Sequence, residues 1–158
     1  MKPRWVAKTA ALAIHEALLA EHGGSPGLLN ESALESALAS PQNRLASEQP
    51  VPDSFDLAAQ YASSLTGNHP FQDGNKRVAF TVAAAFLEMN GFRLEGPEAD
   101  AVRMVNALST REISEAVFAG WLRANSVPTP KPKKTPRPSP KLSLINPPRS
   151  RRKTKRGR

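Results

Sequence analysis

Nine consecutive residues, HPFQDGNKR at positions 69 to 77, combine side chains that phosphate chemistry uses. Asn75, Lys76 and Arg77 stand at the expected first turn of a helix, where unpaired N–H groups and the positive end of the helix dipole attract anions. Gly74 lets the backbone approach a ligand closely. Lys76 would add a localised positive charge, and Arg77 would add a planar guanidinium group that can donate two parallel hydrogen bonds. The stretch therefore predicts a phosphate-binding loop.

A carboxylate and a histidine extend this interpretation. Asp73 would oppose an anion that arrives alone, but it suits an anion that arrives with Mg²⁺, which prefers one or two carboxylates together with phosphate oxygens. His69 could then act as a general base at the edge of the phosphate site. Together these residues predict phosphoryl or nucleotidyl transfer.

Each of these residues, taken alone, also has a simpler explanation. A histidine before proline is commonly a turn residue, Asp73-Gly74 is an ordinary turn sequence, and Lys76 and Arg77 could simply be solvated. The combination is harder to explain in this way. Cations at the N-terminus of a buried helix oppose its dipole unless an anion binds there.

The surrounding sequence predicts an all-α bundle that wraps around one buried helix. Helices are expected at residues 6–22, from a capping box at 32–35 to Pro41, from 53 or 54 to 67, at 75–90, at 97–108, and after a capping box at 109–112. The helix at 75–90 is apolar nearly all round, which is typical of a domain centre. Only residues 92–94 could form a strand.

The charge of the chain is divided between two segments. Residues 126–158 contain twelve Lys and Arg residues and no acidic residue, whereas residues 1–125 hold ten basic and all fourteen acidic residues, a net charge of −4. Eight of the fifteen prolines also lie in residues 126–158. The sequence therefore predicts a folded domain over residues 1–125 and a disordered basic tail over residues 126–158.

Two functions are open for this tail. It could contact RNA or DNA through counterion release, without sequence preference because it has no aromatic residue to stack on bases. It could equally be a solvated segment that aids solubility.

The composition also limits the class of protein. The chain has no cysteine, which excludes disulfides and thiolate metal sites. No stretch approaches the roughly 18 apolar residues of a membrane span. We therefore predict a cytoplasmic protein with no membrane partner.

The stretch at 69–77 resembles the signature of the Fic/Doc superfamily, whose pattern is His-Pro-Phe-x-Asp/Glu-Gly-Asn-Gly/Lys-Arg. A lysine at position 76 is the version of the death-on-curing (Doc) branch. Further segments are similar to Doc-family segments in the same order, among them IHEALLAEHGG, FDLAAQYASSL and ISEAVFAGWLR. The resemblance covers about residues 5 to 124 and leaves out the tail.

The resemblance implies a role for each motif residue. His69 would take the proton from a target hydroxyl, Asp73 would hold Mg²⁺, and Phe71 would be structural. The anion-binding nest, which is the site that would hold the phosphates of ATP, would consist of Gly74, Asn75, Lys76 and Arg77.

The resemblance also implies the reaction. A lysine at 76 goes with an inverted nucleotide that presents its γ-phosphate, which makes the protein a kinase of Ser or Thr. In AMP-transferring Fic enzymes glycine usually occupies this position. Because Pro70 and Gly74 match the general Fic pattern, AMP transfer to a protein hydroxyl stays open as the alternative.

Doc-type toxins modify translation elongation factor Tu. The resemblance therefore implies that this protein modifies the same kind of target and inhibits translation. Many Fic proteins carry an inhibitory [Ser/Thr]-x-x-x-Glu-[Gly/Asn] helix. Here glutamate precedes glycine only at Glu95-Gly96, and Gly91 stands four residues before Glu95. Restraint is therefore expected from a separate antitoxin protein.

Two functions of other classes also stay open. One is a non-enzymatic nucleic-acid-binding protein that acts through the basic tail. The other, ranked last, is a small-molecule kinase that uses the same loop.

Overall fold

The computed structural model describes residues 2–130 as six helices and a two-stranded sheet. In chain order the elements are α1 (Lys8–His22), α2 (Glu31–Ser47), α3 (Ser54–Asn68), α4 (Asn75–Met89), β1 (Phe92–Leu94), α5 (Glu98–Ser109), α6 (Glu115–Ala124) and β2 (Ser126–Pro128). The predicted all-α class is confirmed. Across residues 2–130 no helix has the length and apolar character needed to cross a membrane.

The central element is α4, as the sequence predicts. Nine of its fifteen residues are buried, and α1, α3 and α5 all pack against it. Its many alanine and valine side chains allow this close approach from several sides. Because the helix cannot shift without opening the core, its N-terminus is a rigid platform for the residues that precede it.

The helix before the motif, α3, begins and ends close to the predicted positions. The Asp53 carboxylate accepts a hydrogen bond from the N–H of Asp56 (2.8 Å), and the Asp56 carboxylate accepts one from the N–H of Asp53 (2.9 Å). This reciprocal cap fixes the start of α3. One apolar face of α3 is buried in the core, and it includes Phe55, Ala58, Tyr61, Ala62 and Leu65.

The predicted limits of α2 are wrong at both ends. Asn30, rather than Ser32, caps the helix by accepting the N–H of Ala33 (3.0 Å). Pro41 does not close it, and α2 continues to Ser47. Beyond the proline, Arg44 donates to the main-chain oxygen of Asp56 (3.3 Å) and to the carboxylate of Glu115 (2.9 Å). These tertiary contacts hold the last turns in place despite the main-chain bond that proline removes.

The start of α6 also differs from its prediction. Ser109 is the last residue of α5, and its hydroxyl donates to the main-chain oxygen of Asn106 (2.8 Å). The cap is Ser114, whose side chain accepts the N–H of Val117 (3.1 Å). A left-handed residue, Arg111 (φ 67°), turns the chain between the two helices.

The fold extends past the predicted domain limit at residue 125. The antiparallel sheet pairs Phe92 with Pro128 and Leu94 with Ser126, so β2 comes from the first residues of the predicted tail. The strand expected at residues 92–94 is present. The rest of the tail, residues 131–158, lies outside the described residues, and its proposed contact with nucleic acid stays a prediction.

A buried tyrosine joins the N-terminal segment to the core and gives a stability prediction. Tyr61 is fully buried, which raises its pKa to about 12, and its hydroxyl accepts the N–H of Val6 (3.0 Å). Tyr61→Phe leaves that N–H without a partner, so we expect the free energy of unfolding to fall by about 1–3 kcal/mol. Urea denaturation measures it.

Thr81→Val is the matched control for this loss. The Thr81 hydroxyl is buried and has no hydrogen-bond partner within residues 2–130. Its removal should leave stability unchanged or raise it, because no bond is lost. Equal destabilisation by both substitutions would show that the Tyr61 bond is not the cause.

Candidate active site

The motif at residues 69–77 forms the connection between α3 and α4 and begins with a strained residue. His69 follows the last turn of α3 in the left-handed region (φ 51°, ψ 55°), and its N–H donates to the main-chain oxygen of Leu65 (3.1 Å). Non-glycine residues adopt this conformation rarely, and such strain concentrates at functional sites. The His69 side chain is exposed, and it makes no hydrogen bond or ion pair within residues 2–130.

Two motif residues hold the loop rather than face the solvent. Phe71 is buried in the core, as predicted, with 1% of its surface exposed. Asn75 is also buried, and its side chain binds the Phe71 backbone twice: Nδ2 donates to the carbonyl (2.9 Å) and Oδ1 accepts the N–H (3.0 Å). The Asn75 side chain is therefore committed to the loop, and its part in the predicted nest falls to its main-chain N–H.

The segment between α1 and α2 clamps the motif from outside. The Pro70 carbonyl accepts the N–H groups of Leu29 (2.8 Å) and Asn30 (3.2 Å), and the N–H of Gln72 donates to the Gly27 carbonyl (2.9 Å). These main-chain bonds fix the path of the loop without using any of its charged side chains. The Lys76 and Arg77 side chains take no part in these bonds.

Asp73 is held by the same clamp. Its Oδ2 accepts the N–H of Ser25 (3.1 Å) and its Oδ1 accepts the N–H of Gly74 (2.9 Å). Each carboxylate oxygen has two lone-pair sites, so both bonds leave acceptor capacity on a side chain that is exposed. The carboxylate is oriented and still available.

The donor set fits a Mg²⁺ ion that arrives together with phosphate. No group of three or more metal-ligating His, Asp or Glu side chains occurs in residues 2–130, so the protein offers no complete cage there. Mg²⁺ commonly takes one or two carboxylates and completes its octahedron with substrate phosphates and water. Asp73, beside the N-terminus of α4, can supply that carboxylate.

The N-terminus of α4 has the properties of an anion site. Gly74 precedes the helix in the left-handed region (φ 85°), and no side chain caps the first turn. The first main-chain bond of the helix runs from the N–H of Val78 to the Gly74 carbonyl. The three preceding N–H groups, those of Asn75, Lys76 and Arg77, have no acceptor within the helix.

The two cations of this turn are exposed and make no ion pair with residues 2–130. Lys76 and Arg77 lie where the helix dipole is positive, which is unfavourable for a cation. A bound phosphate would remove this repulsion and accept bonds from the side chains and the helix terminus alike.

All six residues predicted to act at the site line one cavity of about 750 Å³. They are His69, Asp73, Gly74, Asn75, Lys76 and Arg77. Small-molecule sites typically measure roughly 300–1,000 Å³, so a nucleotide-sized ligand is compatible with this volume. The structure brings the predicted residues together, and their chemical roles stay predictions.

The opposite wall of the cavity comes from α5 and was not foreseen. It includes Glu98, Val102, Val105 and Asn106, and the cavity also reaches His22 at the end of α1. An exposed apolar side chain marks this face of α5 in the structure, because Val102 is 53% exposed. The sequence predicts the helix, but it does not show which face of α5 would stand opposite the motif.

Comparison with known proteins places the sequence of this chain in a family. A family model described as Fic/DOC matches residues 5–87, more than half of the 158-residue chain. The chain is similar to "Protein kinase doc" of Escherichia phage P1, with 33% identity over 122 residues that span 76% of this chain and 94% of that protein. It is also similar to "Toxin Doc" of Mycolicibacterium smegmatis, with 35% identity over 92 residues, 57% of this chain and 71% of that protein. The chain therefore belongs to the Fic/DOC family.

Proposed function

We propose that the protein is a Doc-type toxin kinase, which transfers the γ-phosphate of ATP to a Ser or Thr hydroxyl of an elongation factor Tu-like protein in the cytoplasm. The observation that carries the proposal is that one cavity joins a strained histidine, an oriented carboxylate and a helix terminus that no side chain caps. The two exposed cations of this terminus make no ion pair within residues 2–130. The relatives named as a protein kinase and as a toxin support it.

The phosphate chain of ATP binds at the N-terminus of α4. The main-chain N–H groups of Asn75, Lys76 and Arg77 and the two side-chain cations contact its oxygens. This arrangement neutralises charge on the phosphates without any rearrangement of the helix, because α4 is fixed in the core. Asp73 would hold Mg²⁺, which supplies further positive charge to the phosphate oxygens when it is bound.

His69 acts on the target hydroxyl. Its imidazole accepts the hydroxyl proton as the Ser or Thr oxygen bonds to the γ-phosphorus. The bond between that phosphorus and the β–γ bridging oxygen breaks, and ADP leaves with the electron pair. A positioned base of this kind typically contributes about 10²- to 10⁴-fold to the rate.

AMP transfer is the second candidate, because Gly74 and Pro70 match the general Fic pattern. In that reaction the target oxygen would attack the α-phosphorus and pyrophosphate would leave. Lys76 decides between the two in our proposal: by resemblance, a lysine at this position goes with a nucleotide that presents its γ-phosphate. In either case a separate antitoxin protein would restrain the enzyme.

Two labelled substrates separate these reactions. Purified protein and Mg²⁺ are incubated with a bacterial extract, or with purified elongation factor Tu, and with ATP labelled at the α- or the γ-phosphate. Label transferred from the γ-position alone, and lost in His69→Ala, is the expected result. Label from the α-position would overturn the kinase assignment and the role given to Lys76. Transfer from neither position would remove the case for an ATP-dependent modifying enzyme.

A further inference from the structure

A histidine on α1 contacts the motif from inside the protein. His15 is 7% exposed, and its Nε2 lies 2.9 Å from the main-chain oxygen of Asp73. A carbonyl oxygen can only accept a hydrogen bond, so Nε2 carries the proton and donates. This bond joins residues 58 positions apart in the sequence, and it reaches the residue that carries the predicted metal-binding carboxylate.

The same imidazole contacts two more motif residues. Its ring stacks on Phe71, with ring centroids 3.9 Å apart and planes inclined by 18°. It also lies beside Gly74, where an added Cβ would stand 3.8 Å from the His15 Cδ2 atom. His15 therefore supports the loop at Phe71, Asp73 and Gly74 together.

The bond to Asp73 controls the direction of a main-chain N–H. In a planar trans peptide the C=O and the following N–H point in opposite directions. When His15 holds the Asp73 carbonyl toward α1, the Gly74 N–H points away from α1, and there it donates to the Asp73 Oδ1 atom (2.9 Å). One inward hydrogen bond thus fixes both the peptide plane and the carboxylate.

We propose that His15 is a positioning residue for the phosphate- and Mg²⁺-binding loop, and that its Nε2–H presets the Asp73–Gly74 peptide before the nucleotide binds. This inference rests on the proposed function, because it concerns the same loop. His15 itself does not touch the nucleotide. Its effect reaches the ligand through the orientation of Asp73 and of the N–H groups that follow.

Two substitutions separate the effect of the His15 hydrogen-bond donor from the effect of its stacked ring. His15→Phe keeps a planar ring that can stack on Phe71 but cannot donate, whereas His15→Gln retains a donor near the position of Nε2 and loses the ring. Ile14→Val is the control, since Ile14 is a buried neighbour on α1 that does not line the cavity. All three are expected to lower Tm modestly, so Tm alone cannot identify a positioning role.

Binding of a non-hydrolysable ATP analogue with Mg²⁺, measured by calorimetry, is the first readout. We expect His15→Phe to weaken binding roughly fivefold to tenfold, the effect of one lost hydrogen bond. His15→Gln should stay within about twofold of the wild type, because the donor is restored. Ile14→Val should bind like the wild type.

Amide hydrogen exchange in the protein without ligand is the second readout. The N–H groups of Gln72 and Gly74 are bonded within the loop and its clamp, and His15→Phe should make them exchange at least about fivefold faster. Ile14→Val should leave them unchanged relative to the rest of the core.

The outcomes separate this inference from the proposed function. Unchanged affinity and unchanged exchange in His15→Phe would overturn the positioning role, as would equal losses in the Phe and Gln variants. If the wild type binds no ATP analogue, the proposed function fails, and the exchange of Gln72 and Gly74 alone then decides whether His15 positions the loop.

Discussion

His69→Ala is expected to lower the rate of phosphate transfer by about 10²- to 10⁴-fold, the usual contribution of a positioned general base. Binding of ATP should stay within about twofold, because the phosphates are bound by the α4 terminus and not by the imidazole. The side chain has no hydrogen-bond partner within residues 2–130, so its removal breaks no bond that holds the loop.

His69→Asn tests the same role and avoids the cost of placing alanine in a left-handed backbone conformation. The residue stands in the left-handed region (φ 51°), which asparagine tolerates better than alanine does. Asparagine cannot take up a proton near neutral pH. The two variants should therefore differ in Tm, with Asn the more stable, and should be equally slow in transfer.

His22→Asn is the control for this measurement. His22 is the second histidine of the cavity wall, and the proposed mechanism gives it no proton to carry. Single-turnover transfer from γ-labelled ATP should continue in this variant at a rate within a few-fold of the wild type. A loss as large as that of His69→Asn would show that the base has been assigned to the wrong histidine.

The elements that carry the motif could be predicted because their signals are local. Asp53 and Asp56 lie three residues apart and cap α3, because each carboxylate accepts the main-chain N–H of the other residue. The apolar run after Lys76 and Arg77 has the composition of a buried helix, and α4 is one. The motif stands between these two signals, so its position at the N-terminus of a central helix followed from the sequence.

Other features depend on contacts between distant residues and could not be predicted. From the sequence alone, Pro41 is a reasonable end for a helix. In the structure, Arg44 beyond it donates to Glu115, which lies 71 residues further along the chain, and no local signal predicts this contact. The predicted starts of α2 and α6 were wrong because several Ser and Asn residues can cap a helix, and packing selects one.

The inner support of the site was missed for a different reason. His15 lies on an ordinary amphipathic helix, and nothing in its neighbours marks the bond to Asp73. Asn75 was predicted as a ligand-binding residue, yet its side chain holds Phe71. A motif indicates which residues occur together, but only the three-dimensional structure separates those that face the cavity from those that shape it.

The clamp around Asp73 gives a second large effect that the motif alone would not predict. Gly24 and Gly27 lie in the same segment and have similar φ values, 123° and 130°. A Cβ at Gly24 would lie 2.7 Å from the Asp73 Oδ2 atom, whereas the nearest atom to a Cβ at Gly27 would be the Gln72 Cβ at 3.6 Å. Alanine strains the backbone at both positions, by about 1–3 kcal/mol. Only at Gly24 does it also displace the carboxylate.

Gly24→Ala is therefore expected to slow transfer by about 100-fold, the effect of moving a reactive-site group by roughly an ångström. Gly27→Ala should lose a similar amount of stability and stay within about threefold of the wild-type rate. Single-turnover rates at saturating Mg²⁺ and ATP, with Tm measured on the same samples, separate the two effects. If the variants were equally slow, strain in the clamp would explain the loss. A slow Gly24→Ala beside an active Gly27→Ala assigns it to Asp73, because the backbone cost is shared and the contact with the carboxylate is not.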